Sequence, residues 1–371
     1  MMQNVRISDL LDGMEAPNFG LKESAAVSPE RIKEIAMEKI HTENMSHAVK
    51  RKHTAVIILA AALALALSVT AVAAYRSGFF QNAFGTGIAG QKPYERTWTD
   101  KDGTVVKTEH YPAMERVEAD EEKASELVGS YVVDIGQSVT LENYSFTLEN
   151  ALLDEKGIGV LTLHVENPDG HGIKYSGQYD GAKGEHPPFN ILLGRESGKY
   201  FDMDTREYLA EASFTETKAD YVVYFTPFEP LPADEALILT LRLMQPNVAP
   251  PDRQSVSVRI PAAEKVAARN FSTEGVRAAV SPVGMTLCYD IGGTAEKVEN
   301  SITLRYADGS EYTVMGTGLV NFSVASVSQD RGTQWYAFNR LADPDSITEI
   351  VISGYWTSEE NLKNPYELIL K

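Results

Sequence analysis

Hydrophobic and polar positions follow three different patterns along the chain. An uncharged run of 21 residues, Ala55–Tyr75, lies between the basic residues Lys50–Lys52 and Arg76. At about 1.5 Å per residue it gives a helix of about 31 Å, which matches a hydrocarbon core of roughly 30 Å. The run therefore predicts a single transmembrane helix over residues 55–75.

Basic residues set the predicted orientation of this helix. Eight Lys or Arg residues precede the run, three of them at Lys50–Lys52, and such flanks resist translocation. We therefore expect a cytosolic N-terminus and extracytoplasmic C-terminal domains in a single-pass protein of the cell membrane. A signal peptide is the alternative, because Ala71–Ala73 supplies small residues. About fifty residues precede the run, however, and it exceeds the roughly 7–15 residues of a signal core.

Residues 1–54 have a helical period and are predicted to form a short cytosolic segment. Ser28 is a candidate N-cap, Pro29 occupies the first helical position, and an apolar face follows. Two partners fit that face: the inner leaflet of the bilayer, or a groove on another cytosolic protein. The candidate partner-binding residues are Leu10, Leu11, Ile32, Ile35, Ala36 and Ile40.

Residues 76–130 are predicted to form a juxtamembrane stalk with a short helix. Phe and Gly dominate Arg76–Gly90, which favours aromatic side chains at the lipid headgroups. The Asp102-Gly103 pair predicts a small hairpin, and Val117–Val128 has the pattern of a helix with acidic residues in its first half.

From Tyr131 onward the period changes to two, which indicates β-strands. Short alternating runs are separated by turn clusters such as Asp154–Gly157 and Asn167–Gly170. This spacing predicts a mainly β ectodomain with two antiparallel β-sandwich domains, over residues 131–264 and 265–371. The clearest runs are Ser138–Leu148, Ile158–Glu166, Phe189–Leu193, Tyr221–Phe225, Leu237–Leu243, Ser255–Ile260, Val276–Val280, Gly284–Ile291, Ser301–Tyr306, Glu311–Met315, Thr333–Ala337, Ile347–Gly354 and Tyr366–Leu370.

Charge narrows the classes of partner. The net charge of −18 lies entirely after the apolar run, where 44 acidic residues face 26 basic ones. Such a surface repels nucleic acid, so we expect no nucleic-acid partner. Cys288 is the single cysteine, so no intramolecular disulfide can form.

Motifs for catalysis or metal binding are absent from the sequence. The chain has no HExxH, GxSxG or SxxK motif and no second cysteine, so we predict no enzymatic activity, no metal site and no cofactor. Asp202, Asp204 and Glu207 lack the glycine and glutamate positions of a calcium loop and are predicted to form a solvated acidic loop. His164 alternates with apolar positions and is expected on a solvent-facing side of its strand.

Several stretches together carry a resemblance to a known family. Ser28–Ile40, the Ala/Leu-rich span, Asp120–Gly129 and Tyr144–Gly157 resemble single-pass proteins of Gram-positive Firmicutes. In that family an uncharacterised Ig-like ectodomain is commonly assigned to anti-sigma factors. The resemblance covers about residues 75–265, and Val280–Leu287 is similar to the start of a second β domain often found with it.

The resemblance implies a regulator whose cytosolic segment holds an extracytoplasmic-function sigma factor at the membrane. It also implies release by site proteases, first at Arg76–Gly90 and then within the span. Many anti-sigma factors carry a zinc-binding HxxxCxxC motif, but no Cys precedes Ala55, so inhibition would require a short helical clamp. The alternative is a membrane-tethered binding or envelope-structural module without a sigma factor.

Overall fold

The fold is taken from a computed structural model, which describes residues 78–99, 102, 104–169, 175–179, 182–186, 189–198, 202–244, 253–290, 296–329, 332–357 and 363–371. Among these residues no helix is long and apolar enough to cross a membrane. The run 55–75 and the candidate partner-binding residues Leu10, Leu11, Ile32, Ile35, Ala36 and Ile40 lie outside them.

Residues 78–132, which we call the strap, precede the β-rich part of the chain. Helix α1 (Phe79–Phe84) leads to the antiparallel hairpin of β1 (Tyr94–Thr99) and β2 (Val105–Tyr111). Helix α2 (Glu121–Val128) then begins at Asp120, whose carboxylate accepts a hydrogen bond of 3.0 Å from the Lys123 amide. The structure confirms the predicted hairpin and the predicted helix, although the helix covers Glu121–Val128 and begins four residues after the predicted Val117, because Asp120 caps it.

The first β unit has two antiparallel sheets with a shared core. One sheet has the strand order β3-β4-β5-β10-β9 and the other β12-β11-β8, while β6 and β7 form a separate hairpin. On β5, Leu161 and Leu163 face the core that Leu239 and Leu241 complete from the opposite sheet. The strands are β3 (Val133–Leu141), β4 (Tyr144–Leu153), β5 (Gly159–Glu166), β6 (Tyr175–Tyr179), β7 (Ala182–His186), β8 (Phe189–Arg195), β9 (Met203–Ala210), β10 (Lys218–Pro227), β11 (Leu237–Leu243) and β12 (Ser255–Ile260).

The second β unit repeats this two-sheet plan. Its sheets have the orders β13-β14-β15-β20-β19 and β18-β17-β16-β21-β22, and Leu287, Leu304 and Ile350 lie in the core between them. Residues 261–268 connect the units, and residue 264, where the sequence predicts a domain boundary, lies in this connection. The strands are β13 (Arg269–Thr273), β14 (Val276–Ser281), β15 (Gly284–Tyr289), β16 (Glu296–Tyr306), β17 (Glu311–Gly316), β18 (Leu319–Val320), β19 (Phe322–Val327), β20 (Thr333–Phe338), β21 (Ile347–Thr357) and β22 (Lys363–Leu370).

The structure confirms the mainly β, antiparallel character of the chain but adds strands that the sequence pattern does not predict. The acidic loop predicted around Asp204 and Glu207 is wrong, because both residues lie in β9, paired with β10. Burial raises the pKa of both carboxyl groups. Polar side chains conceal this strand, since alternation is weak where a strand lies at a sheet edge.

Removing core volume from the second unit tests its packing. Leu304 is fully buried, so Leu304→Ala should lower the free energy of unfolding by about 2–5 kcal/mol. Val106 on the hairpin is 68% exposed, and Val106→Ala should change the free energy of unfolding by only about 0.5 kcal/mol. Urea unfolding followed by circular dichroism measures both. Equal effects of the two substitutions would contradict the assigned core.

Candidate functional site at the junction of the two β units

A third apolar cluster lies where the two β units meet. Strands β5 and β10 turn one set of side chains to the first core and the alternate set outward. The outward set packs against β19 and β20 of the second unit. In each unit, therefore, one five-stranded sheet contributes side chains both to the core of that unit and to the junction. Its buried members from the two units and their connection are Leu152, Ile158, Val160, Val222, Tyr224, Val266, Val283, Val324, Trp335 and Ala337.

A glycine permits the close approach of the two units. A Cβ on Gly284 would lie 2.6 Å from Ile158 Cγ2 and 2.6 Å from the Tyr336 carbonyl oxygen. Real Cβ atoms do not approach so closely, and the carbonyl belongs to a paired strand that cannot move away. The side chain of Ile158 therefore occupies the space that any other residue at position 284 would fill.

Helix α1 of the strap inserts its aromatic side chains into this junction. Phe79, Phe80 and Phe84 are each 1% exposed, and Phe79 makes edge-on ring contacts with the other two at 5.6 and 6.3 Å. The prediction that these rings lie at lipid headgroups is wrong. A six-residue helix is not stable alone, and burial of its three aromatic rings in the junction cluster supplies the stabilisation it lacks.

Arg116 of the strap connects all three parts of the junction. Its Nη1 donates to the carbonyl oxygen of Ala83 at 3.3 Å, to Tyr224 Oη at 2.9 Å and to the carbonyl oxygen of Asn339 at 3.2 Å. The guanidinium carbon also lies 5.5 Å from the ring centroids of both Tyr208 and Tyr224. Planar donors and a polarisable face let one Arg side chain satisfy the strap and both β units together.

Direct polar contacts between the units surround the Arg116 site. Tyr208 Oη donates to the Ser323 carbonyl oxygen at 2.9 Å, and burial raises the pKa of Tyr208 to about 12. Ser326 Oγ donates to the Pro227 carbonyl oxygen at 2.6 Å. Because these bonds are buried or partly buried, breaking one without replacement costs about 1–3 kcal/mol.

Asp154 forms the most deeply buried polar contact between the units. Its carboxylate accepts hydrogen bonds from Ser281 Oγ at 2.7 Å and from the Lys156 and Ile158 amides at 2.9 Å each. Burial raises its pKa to about 6 despite these donors. The predicted turn at Asp154–Gly157 is present, but its first residue faces the second β unit rather than solvent.

A second ionisable cluster surrounds His164 on the first unit. Its Nδ1 lies 2.5 Å from Asp220 Oδ1 and its Nε2 lies 3.1 Å from Glu166 Oε1, while Lys218 pairs with Glu166. Burial lowers the pKa of His164, but the hydrogen bonds with Asp220 and Glu166 outweigh it and raise the pKa above its ordinary value. Two carboxylates can be satisfied only by a doubly protonated ring, so this geometry favours the imidazolium.

Sequence reasoning did not predict the junction site. Its only local signals are the spacings of Phe80 with Phe84 and of Phe79 with Ala83, which put four apolar side chains on neighbouring faces of one helix turn. Asp202, expected in a solvated loop, pairs with Arg195 at 3.2 Å. Among the described residues, no group of three or more His, Cys, Asp or Glu side chains is arranged to hold a metal ion.

Comparisons with known proteins give little information on the class of this protein. No protein-family model matches the chain, and a search of curated proteins finds no significant match. One solved structure, described as a conserved domain protein from Bacillus anthracis, aligns with 65% of this chain and 89% of its own length. Its TM-score of 0.36 and sequence identity of 12% are too low to support an argument.

Asp154 gives the junction a testable pH dependence. Its pKa is about 6 when folded and about 4 in an unfolded chain, so the folded state takes up the proton first. This contribution to stability is present at low pH and is lost as the pH rises through about 6. The free energy of unfolding of the wild-type chain should therefore rise by about 2–3 kcal/mol, relative to that of Asp154→Asn, when the pH falls from about 7 to about 4. Urea unfolding at several pH values measures the difference.

Asp308→Asn is the matched control for this titration. Hydrogen bonds from Ser310 lower the pKa of Asp308, and the carboxylate is exposed. The wild-type chain should therefore be only slightly more stable than Asp308→Asn, and this difference in the free energy of unfolding should shrink as the pH falls. A wild-type advantage over Asp154→Asn that stays constant across the range would contradict the assigned burial of Asp154.

Proposed function

We propose that the chain is a membrane-anchored regulator, an anti-sigma factor that senses envelope conditions through two Ig-like β-sandwich domains. Its cytosolic segment, residues 1–54, would sequester an extracytoplasmic-function sigma factor. The proposal is supported by the resemblance of Ser28–Ile40 and Tyr144–Gly157 to that family. It also fits the position of the strap between the predicted membrane span and the β units.

The integration of the strap into the junction is the observation on which this proposal depends. Only residues 76–78 separate the predicted span from Phe79, which is buried in the apolar cluster at the junction of the β units. A signal that separates the two units would therefore remove the packing partners of α1 at the point where the chain leaves the membrane. A packed element with two discrete arrangements can transmit a local change at one site to a distant site.

The burial of helix α1 sets a condition for the proteolytic release of the cytosolic segment. A protease needs an extended, accessible segment, whereas Phe79–Phe84 is helical and buried. In this proposal the strap leaves the junction first, and cleavage near residues 76–90 follows. Cleavage within the Ala-rich span would then free the cytosolic segment with its sigma factor.

Substitution on the predicted apolar helix face tests the sigma-factor interaction. Ile35→Asp in the full chain should weaken co-purification of the sigma factor by more than tenfold, because it buries an unpaired charge at about 2 kcal/mol or more. Met37→Asp, on the other side of the predicted helix, is the matched control and should retain binding. Transcription from a sigma-dependent reporter should rise only with Ile35→Asp.

The tethered-module alternative predicts a different outcome. If deletion of residues 1–45 leaves transcription unchanged, while loss of the β units produces an envelope defect, the regulator proposal is wrong. Capture of no sigma factor by the wild-type chain would contradict it equally.

A further inference from the structure

A cleft of about 390 Å³ lies between the strap and the second β unit. Its strap wall includes α2 and the residues before it, and its other wall comes from the turns after β16 and β20. Phe84, Leu127 and Leu341 supply apolar surface, while Lys123, Arg340 and four carboxylates supply charge. This volume and this mixture of apolar walls with a few polar groups are typical of small-molecule sites.

Of the two cations in this cleft, Lys123 pairs with Asp343, whereas Arg340 forms no ion pair with any residue in the described part of the chain. Its guanidinium lies over the Tyr312 ring, with the carbon 4.7 Å from the centroid, so the side chain is held in place. Its Nε is buried and has no hydrogen-bond partner among the described residues. Because Nε has almost no accessible surface, an anionic group in the cleft would meet the charge and the terminal Nη donors of this guanidinium rather than Nε.

Three of the four neighbouring carboxylates already accept hydrogen bonds or pair with another cation. Asp343 accepts from the Asp345 amide at 3.3 Å and pairs with Lys123 at 3.4 Å. Asp308 accepts from the amide and hydroxyl of Ser310 at 2.8 and 2.6 Å. Asp120 caps helix α2. Each carboxylate nevertheless retains capacity to accept a further hydrogen bond.

The charges of the cleft define the class of ligand. One unsatisfied guanidinium surrounded by carboxylates repels a phosphate or a dicarboxylate but accommodates one carboxylate paired with one ammonium group. We propose that this cleft binds a zwitterionic ligand with an apolar side chain, of the size of an amino acid or dipeptide. Arg340 would bind its carboxylate, the Asp343 and Asp308 side would accept its ammonium group, and Leu127 and Leu341 would contact its side chain.

Such a ligand would bridge the strap to the second β unit. It would stabilise the docked strap by mass action, because the complete site exists only while α2 is in place. The assignment rests on the cleft alone and does not require a sigma-factor partner.

Isothermal titration calorimetry on the full chain in lipid nanodiscs tests the assignment. L-leucine and L-leucyl-L-leucine are the probes, and at least one should bind with a dissociation constant below about 1 mM. 4-Methylpentanoate, which is leucine without the ammonium group, and isoamylamine, which is leucine without the carboxylate, should bind at least about tenfold more weakly. Absence of binding by both zwitterions up to about 10 mM would overturn the proposal.

Substitution of Arg340 provides the second test of the binding site. Arg340→Gln should weaken binding at least about tenfold, whereas Arg277→Gln should not change it, since Arg277 pairs with Asp290 on the surface of the same unit. Thermal melting checks that each variant folds. If Arg340→Gln does not fold, Arg340→Lys decides, because it keeps the charge but loses the forked donors. Unchanged affinity in the folded Arg340 variant would overturn the proposal.

Discussion

The structure depends on the burial of the aromatic side chains of α1 in the apolar cluster where the two β units meet. Each unit has its own core, but the outward faces of β5, β10, β19 and β20 are apolar and require a cover. The strap supplies part of that cover, and Arg116 adds hydrogen bonds to both units from the same segment. Burial of three Phe rings removes on the order of 500 Å² of surface from water and stabilises this region through the hydrophobic effect. The strap is thus a structural element of the junction rather than a spacer.

This arrangement explains why polar groups concentrate at the junction. Asp154, Ser281 and Ser326 are buried and Tyr208 is partly buried, and each has a hydrogen-bond partner on the opposite unit or the adjoining turn. Apolar packing alone would tolerate several relative positions of two flat sheet faces, whereas directed hydrogen bonds fix one. The raised pKa of Asp154 is a cost of that placement. If the units separate, these groups regain water, so the junction is both specific and reversible in principle.

The sequence predicted the elements whose signals are local and failed where the signal depends on distant neighbours. Alternation located most strands, and the N-cap with acidic residues located α2, because each requires only nearby residues. Strand β9 was missed since its outward side chains are polar, and the role of Phe79–Phe84 was misread because an aromatic cluster near a membrane span also suits a headgroup region. The roles of Arg116 and Asp154 could not be identified, because the partners that make them junction residues, such as Tyr224 and Ser281, lie 108 or more residues away in the chain. The candidate sigma-factor residues stay predictions.

Native-state hydrogen exchange on the full chain, followed by mass spectrometry across a urea series, tests the central claim most directly. The Asn82 and Gly85 amides are hydrogen-bonded within the strap, so they report its opening. If the strap is part of the junction, these amides should open with the same free energy and urea dependence as the central strands β5 and β15. Rapid exchange of the strap amides while both β units remain fully protected would show that the strap is only a loosely docked spacer, and would contradict the account.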